Sequence, residues 1–405
     1  MYKLLSNLRV VEASSFVASP SAGLYLAQMG AEVIRIDQIG GGPDFGRWPK
    51  NEAGASFYWE SLNKGKKSVA LDLGSPEGRE LAQRLAAAPG ERGGLFLTNF
   101  PVGGFLSHDA LKALREDIIT VRIMGRADGG PALDYTVNAA VGIPQITGPK
   151  ELGDAPVNHV LAAWDLLTGS YAAFAMLAAE RHRAATGAGQ EVLVPLQDMA
   201  ITSVANMGML AEVLDSGENR ERLGNEVYGA FGRDFETADG KRLIVMAITP
   251  RQWTGLVEVL GIAGDVAGIE AERGVSFDRD EGLRFEHRDA LMPLVASSIA
   301  RRESGPLIEA FEANGVCWGG YQMMREAADD PDLVRDNPVF STIDNPSGFS
   351  YPQPGAAARF GGLERQPPEP AHRLGADSEE VLSDALGLSS GEIGKLVDNG
   401  IVGTA

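Results

Sequence analysis

Short apolar runs alternate with helical segments in the first third of the chain, and this alternation restricts the fold more than any other feature. Runs typical of strands occupy residues 8–12, 31–37, 67–73, 94–98 and 118–123. Helical segments lie between them at 21–29, 79–88 and 109–115. Strands that alternate with helices are typical of parallel sheets. The sequence therefore predicts an α/β protein built on a Rossmann-like parallel sheet.

The second half of the chain has a different character. Residues 219–234 are polar and rich in glycine, and residues 235–246 have the pattern of a hairpin with an Asp239-Gly240 turn. Helical segments follow from 251 to about 313. This pattern predicts a smaller α+β domain over 225–325. The stretch 330–370, rich in proline and glycine, is expected to run over the surface before a last helical segment at 378–399.

Composition restricts the partners of this chain. Its 405 residues carry a formal net charge of −19, which repels nucleic acid and anionic membranes. The single cysteine, Cys317, cannot form an internal disulfide and fits a reducing compartment. No stretch approaches the roughly 20 apolar residues that span a bilayer, and no apolar core of a signal peptide follows Met1. We therefore expect a cytoplasmic protein without nucleic-acid or membrane partners.

Several common kinds of site are absent from the sequence. The first strand-to-helix loop, 13–20, lacks the Gly-x-Gly-x-x-Gly pattern that binds the pyrophosphate of NAD or FAD. The five histidines show no metal-ligand spacing, so no metal is expected. No Gly-x-Ser-x-Gly elbow occurs, which disfavours a serine hydrolase.

A basic cluster interrupts this acidic chain at residues 63–68. Lys64, Lys66 and Lys67 surround Gly65 in this segment. Such a cluster is either a solvated turn before a strand or a phosphate contact, in which lysines supply charge and glycine allows close approach. It is not a P-loop, because the spaced glycine of that motif is missing.

Asp165 lies where an apolar segment becomes strongly helical. Asp is a leading N-cap residue, so one interpretation is that it only caps the helix. Free N–H groups and the helix dipole favour a carboxylate as the anion at this position. An anionic carboxylate held on a rigid element can also be a nucleophile toward an acyl group. Position alone leaves both interpretations open.

Taken in order, several segments resemble the class III CoA-transferases and their α-methylacyl-CoA racemase relatives over essentially the whole chain. The matching segments are 8–11, 18–20, 30–37, 63–72, Asn99-Phe100, Asp165 and 186–190.

The resemblance implies a two-domain protomer in an interlocked homodimer. The large domain of this family contains both chain ends, so it would comprise 1–200 and a return segment at 326–405. The substrate would be an acyl-CoA thioester, with no cofactor beyond the coenzyme A that the substrate carries. The family nucleophile falls on Asp165. The family's CoA-binding positions fall on or near Val17, Ala18, Gln38, Leu71, Asp72, Asn99, Phe100 and Tyr135.

Departures from the family pattern fall at expected phosphate contacts. Gln38 stands where some relatives have arginine, and 101–104 replaces an Arg-Pro-Gly run. Lys64, Lys66 and Arg47 are therefore the candidates for the phosphates. Arg47 and His159 are candidates for a free carboxylate of the substrate.

Three local segments, 98–101, 158–165 and 228–237, indicate a particular branch of the family. They are most similar to members that move CoA from the C1 to the C4 carboxylate of mesaconate through a covalent aspartyl-CoA intermediate. The alternatives are an intermolecular CoA-transferase and an α-methylacyl-CoA racemase. Racemases carry histidine where this chain has Leu133, just before Asp134, which weighs against proton abstraction. The presence of Asp165 weighs against a non-catalytic CoA-binding protein.

Overall fold

The computed structural model describes all 405 residues and divides into two compact units. Unit 1 comprises Met1–Val141, His159–Gly217 and Asp330–Ala405. Unit 2 comprises Gly142–Asn158 and Glu218–Asp329. The predicted first segment, 1–200, thus needs two changes: it extends to Gly217, and residues 142–158 belong to unit 2.

Twelve strands occur along the chain. In order they are β1 Arg9–Ala13, β2 Glu32–Gln38, β3 Lys67–Leu71, β4 Leu95–Thr98, β5 Ile119–Met124, β6 Gln190–Pro195, β7 Phe231–Glu236, β8 Arg242–Ala247, β9 Cys317–Gly320, β10 Phe340–Asp344, β11 Ser350–Pro354 and β12 Val402–Gly403.

Seventeen α-helices accompany them. They are α1 Ala18–Gln28, α2 Phe57–Asn63, α3 Pro76–Ala86, α4 His108–Lys112, α5 Asp134–Ala140, α6 Ile143–Ile146, α7 Ala163–Thr186, α8 Leu196–Asn206, α9 Met209–Ser216, α10 Pro250–Leu260, α11 Ala263–Arg273, α12 Glu281–Glu286, α13 Arg288–Ile299, α14 Ser304–Ala313, α15 Met324–Asp329, α16 Ser378–Leu386 and α17 Ser390–Asp398. None of them combines the length and the apolar character that a membrane span requires.

Unit 1 is built on a seven-stranded sheet in the order β12-β3-β2-β1-β4-β5-β6. All neighbours are parallel except β12, which pairs antiparallel with β3. Successive residues of a strand enter opposite cores, as Val10 and Val11 do. Burial of both faces is why these strands are nearly continuous apolar runs. The predicted α/β class is confirmed.

The strand order reverses between β1 and β4. Chain connections leave this point in opposite directions, and a crevice opens beyond the carboxyl ends of the two strands. The loop after β1 leads to Ala18, and the loop after β4 begins at Asn99. Ligands of open α/β sheets bind at such a crevice, so the topology by itself indicates where a site should lie.

Unit 2 has a three-stranded antiparallel sheet in the order β7-β8-β9, packed against helices around a separate apolar core. Gly240 takes a positive φ of 75° in the turn between β7 and β8, as the predicted Asp-Gly hairpin requires. Arg222 explains why 142–158 joins this unit. Its buried guanidinium donates hydrogen bonds to four backbone carbonyls of that segment.

The return segment contains more regular structure than its composition indicates. Strands β10 and β11 form an antiparallel hairpin within the stretch predicted as a surface return. The C-terminal β12 adds an edge strand to the large sheet. Proline and glycine concealed the β10–β11 hairpin, because they occur at hairpin ends and edges as readily as in loops.

Candidate active site

A cavity of ≈ 380 Å³ lies at the reversal of strand order in unit 1. Its wall comes from the loops after β1, β2, β4 and β5, from the end of β5 and from the starts of α1, α7 and α8. The lining residues are Ser15, Phe16, Val17, Ala18, Pro43, Asn99, Phe100, Pro101, Ile123, Met124, Gly125, Ala132, Leu133, Asp165 and Leu196. The cavity of Asp165 is thus also lined by four predicted CoA-binding residues, Val17, Ala18, Asn99 and Phe100. The carboxylate is the only ionisable side chain that lines this cavity.

Asp165 is the third residue of α7 and does not cap the helix. The N-cap residue is Ala162, which has no polar side chain. The first turn is capped instead by Asp134 of α5, whose Oδ2 accepts hydrogen bonds from the Trp164 N–H at 2.8 Å and the Asp165 N–H at 3.1 Å. The interpretation of Asp165 as an N-cap is therefore wrong, and its own carboxylate is not engaged by the helix end.

The carboxylate of Asp165 is partly buried and has no hydrogen bond or ion pair in this structure. Burial, together with the nearby charge of Asp134, raises its pKa to about 7, while Arg47 opposes the shift. The sequence suggested that the helix end would hold this group as an anion. Because Asp134 occupies those N–H groups, burial dominates. Carboxylates with a pKa perturbed in this way cluster at functional sites.

Arg47 is the cation near Asp165. Its exposed guanidinium lies 5.3 Å from the ring centroid of Phe16 and 5.4 Å from that of Tyr58, and it donates no hydrogen bond. Burial raises the pKa of Tyr58 to about 12, so its hydroxyl stays neutral. An arginine held between two aromatic rings, with its donors unused, can take a carboxylate or a phosphate.

The loop over the cavity is fixed from both sides. Phe16 is the only residue other than glycine with a positive φ, at 70°. Its N–H donates to Asp44 at 3.0 Å, and the Asn99 amide bonds the N–H and the carbonyl of Ser15. Asp44 is in turn held by the buried guanidinium of Arg35. The one sign of this support in the sequence is a charged residue, Arg35, inside an apolar strand.

The basic cluster is not an open phosphate site. Lys64 is 4% exposed and donates to the Ser61 carbonyl, and burial lowers its pKa to about 8. Lys66 is 2% exposed and donates to Glu12, to the Pro20 carbonyl and to Asn63. Both ammonium groups serve the fold, so the phosphate contacts expected of Lys64 and Lys66 are not supported. Arg47 remains the candidate.

The other four predicted CoA positions lie at the carboxyl ends of β2 and β3 and in α5. Gln38 is exposed at the end of β2, and Asp72 is half-buried, with Oδ1 accepting from the Gly74 N–H. Leu71 is enclosed in the apolar core, so only its backbone could contact a ligand. Tyr135 is exposed and donates its hydroxyl to the Val160 carbonyl. None of these four lines the cavity of Asp165.

His159 contacts the carboxylate that caps α7. Its Nε2 lies 2.6 Å from Asp134 Oδ1, and its ring packs near those of Tyr135 and Trp164. An imidazole therefore reaches Asp134 from the loop before α7, although residue 133 is leucine. Proximity in the chain could not reveal this pair, because the two residues belong to different elements.

Arg122 is a supporting residue that sequence reasoning missed. Its guanidinium is fully buried and donates to the carbonyls of Phe100, Pro101 and Leu106, which fixes the loop after β4. The available signal was an arginine within the apolar strand 118–123. Three carbonyls bound by one cation make this loop a rigid wall of the cavity.

Replacement of Arg122 by methionine is expected to loosen that wall. Methionine keeps the apolar stem but leaves three carbonyls without donors, which should lower the free energy of unfolding by roughly 2–4 kcal/mol. The KM for an acyl-CoA should rise roughly tenfold, equal to about 1.4 kcal/mol of binding energy. Chemical denaturation and steady-state kinetics measure the two effects. The control is Arg126→Met, which breaks only a surface pair with Asp128; equal effects in both variants would contradict the role of Arg122.

The comparisons with known proteins show the family of this chain. A family model for CoA-transferase family III matches residues 5–378. The chain belongs to CoA-transferase family III. The predicted family is confirmed, and the protein is an enzyme of the CoA-transferase type that acts on acyl-CoA thioesters.

Two curated relatives and one solved structure illustrate the similarity. Over 404 residues the chain is 47% identical to 2-methylfumaryl-CoA isomerase of Chloroflexus aurantiacus, covering 99% of this chain and 98% of that protein. It is 30% identical over 365 residues to succinyl-CoA:mesaconate CoA-transferase of Haloarcula hispanica, covering 84% and 86%. A CaiB/BaiF family protein of Brucella suis superposes with a TM-score of 0.77 at 24% identity, covering 95% of this chain and all of that one. That last likeness concerns the fold alone.

Proposed function

We propose that this CoA-transferase family III enzyme moves CoA within one molecule, converting mesaconyl-C1-CoA (2-methylfumaryl-CoA) to mesaconyl-C4-CoA (3-methylfumaryl-CoA). The observation that carries the proposal is Asp165, a basic, unpaired carboxylate in the cavity at the strand-order reversal. The 47% identity to 2-methylfumaryl-CoA isomerase across 99% of the chain supports this substrate.

The chemistry is a sequence of acyl exchanges at Asp165. The carboxylate attacks the C1 thioester carbonyl and the carbon–sulfur bond breaks, giving a mixed anhydride and CoA thiolate. The thiolate attacks the aspartyl carbonyl and releases mesaconate as a carboxylate, leaving an aspartyl-CoA thioester. The C4 carboxylate then attacks this thioester, and the expelled thiolate attacks the new anhydride at C4. Asp165 is regenerated, no proton is consumed, and each step joins species of similar energy.

Each tetrahedral intermediate needs donors for its oxyanion. Helix α1 begins at Ala18 without a side-chain cap, so its first N–H groups have no partner from the helix itself. Val17 and Ala18 line the cavity that contains Asp165. We assign the oxyanion donors to this helix end, where the dipole also favours negative charge.

The free carboxylate of the substrate requires a cation while the released mesaconate changes its orientation in the site. Arg47 contributes to the electrostatic environment of Asp165 and has unused donors. His159 is the second candidate, although its Nε2 is already engaged by Asp134. We assign Arg47 to the free carboxylate, and the only cofactor-like group is the CoA that the substrate carries.

A homodimer is part of the proposal. On one face of α7, the large apolar side chains of Leu167, Tyr171 and Phe174 are exposed, at the spacing of helix neighbours. Such an apolar face is typical of an interface between protein chains. The family resemblance implies that the partner is a second copy of this chain, interlocked with the first. We place the enzyme in the cytoplasm, as its composition indicates.

Incubation with mesaconyl-C1-CoA alone tests the proposed reaction. We expect the C4 isomer to form without any added acid, because the acceptor is the second carboxylate of the same molecule. Isotope-labelled mesaconate in the medium should enter the product slowly, since the released diacid stays in the closed site. Chromatography with mass detection measures both.

The rival functions give different results in the same assay. An absolute requirement for a second acid, or rapid entry of label, would favour an intermolecular transferase such as the Haloarcula relative. Exchange of a substrate α-proton with solvent deuterium without CoA migration would favour a racemase. The control is the Asp165→Asn variant, which should give neither isomer nor label.

A further inference from the structure

The carboxylate of Asp134 connects three groups at the start of α7. It is 3% exposed, and it contacts His159 Nε2 through Oδ1 and the N–H groups of Trp164 and Asp165 through Oδ2. The indole of Trp164 is itself anchored by the side chain of Asn138, one turn along α5. The backbone that carries Asp165 is therefore fixed by a buried anion from another helix.

This arrangement has two physical consequences. The N–H groups that would stabilise Asp165 as an anion are already used by Asp134. A second carboxylate also lies beside Asp165, and a like charge disfavours ionisation. Both effects act in the same direction as burial, and only Arg47 opposes them.

We propose that Asp134 is a positioning residue that orients Asp165 and holds a like charge beside it, with His159 as the hydrogen-bonding partner that keeps Asp134 in place. The inference rests on the proposed role of Asp165 as the nucleophile. A more basic carboxylate is a stronger nucleophile toward a thioester. Asp134 does not touch the reacting atoms and acts only through Asp165.

The groups that face Asp165 limit what a pH profile can report. They are Arg47 from the loop after β2, Tyr58 from α2 and Asp134 from α5, with His159 behind Asp134. Arginine stays charged at all accessible pH values, and burial raises the pKa of Tyr58 to about 12. An acidic limb near neutral pH is therefore assigned to Asp165.

Two variants test the assignment of this limb to Asp165 through the pH dependence of kcat/KM for mesaconyl-C1-CoA. Asp134→Asn keeps an acceptor for the helix N–H groups but removes the charge, so the acidic limb should move to lower pH by on the order of one unit. His159→Gln keeps an N–H donor for Asp134 and leaves both carboxylates in place, so the limb should persist. A limb that stays in place in the first variant, or disappears in the second, would overturn the inference.

A second measurement needs no substrate and so separates this inference from the proposed function. The infrared difference spectrum between the wild type and Asp165→Asn isolates the carboxyl band of Asp165. The pH midpoint at which this band changes should be lower when Asp165 and its asparagine variant are compared in a protein that also carries Asp134→Asn. Asp134→Ser, which can also cap a helix, repeats the comparison if the asparagine variant folds poorly. An unchanged midpoint contradicts the inference even if the isomerase assay succeeds, and a shifted midpoint supports it even if that assay fails.

Discussion

Replacing Asp165 with asparagine is expected to abolish CoA transfer and, at neutral and alkaline pH, to stabilise the fold. The loss of turnover should reach about 10⁴-fold or more, as when other covalent nucleophiles are removed. Asparagine has nearly the same shape, but its amide cannot attack a thioester. The stabilisation follows from the environment of Asp165, because the native protein keeps this carboxylate partly buried and unpaired.

The pH dependence of that stabilisation has a definite sign. Burial and Asp134 raise the pKa of Asp165 in the folded state from its ordinary value of 3.8 to about 7. The folded state therefore binds this proton more tightly than the unfolded state, and the native protein loses stability as pH rises between these two values. The asparagine variant should match the wild type near pH 4. It should exceed the wild type above pH 7 by on the order of 2–4 kcal/mol.

Chemical denaturation at several pH values measures this difference, with kinetics on the same samples. Asp109→Asn is the matched control, since Asp109 is exposed in the first turn of α4 and remote from the cavity. It should change neither turnover nor the pH dependence of stability. Activity of Asp165→Asn above about 1% of wild type, or equal stability of the two proteins at pH 8, would contradict the assignment.

The parallel sheet could be predicted from sequence because burial of both faces forces apolar strands to alternate with helices. The same logic located the loops after the strands, including Asn99 and Phe100, and placed Asp165 at a helix start. Local pattern carries these features because each depends on residues close in the chain.

The supports of the site could not be predicted in this way. Asp134 caps α7 from a helix about thirty residues earlier, and His159 meets it from a loop. Such contacts depend on how elements pack, which one sequence does not state. Lys66 is an error of a different kind, because a lysine in a basic cluster indicates a solvated turn or a phosphate contact. Its pairing with Glu12 beneath the cavity loop turns it into part of the core.

The final prediction concerns the covalent intermediate. An enzyme incubated with mesaconyl-C1-CoA and then with hydroxylamine or borohydride should be modified at Asp165 alone. Both proposed intermediates, the mixed anhydride and the aspartyl-CoA thioester, are electrophilic at the same aspartyl carbonyl. Hydroxylamine would convert it to a hydroxamate, and borohydride would reduce the thioester to an alcohol. Peptide mass spectrometry locates the change.

The competing nucleophile in such an experiment is Cys317, which is exposed and free in unit 2. It does not line the cavity that contains Asp165. If the Cys317 thiol accepted the acyl group, hydroxylamine would remove that group and leave an unmodified cysteine. Enzyme without acyl-CoA, and the Asp165→Asn variant with it, should both remain unlabelled. Labelling at another residue, or none under conditions of full turnover, would exclude the aspartyl mechanism. Labelling confined to Asp165 would identify its basic, unpaired carboxylate as the group that carries CoA during the transfer.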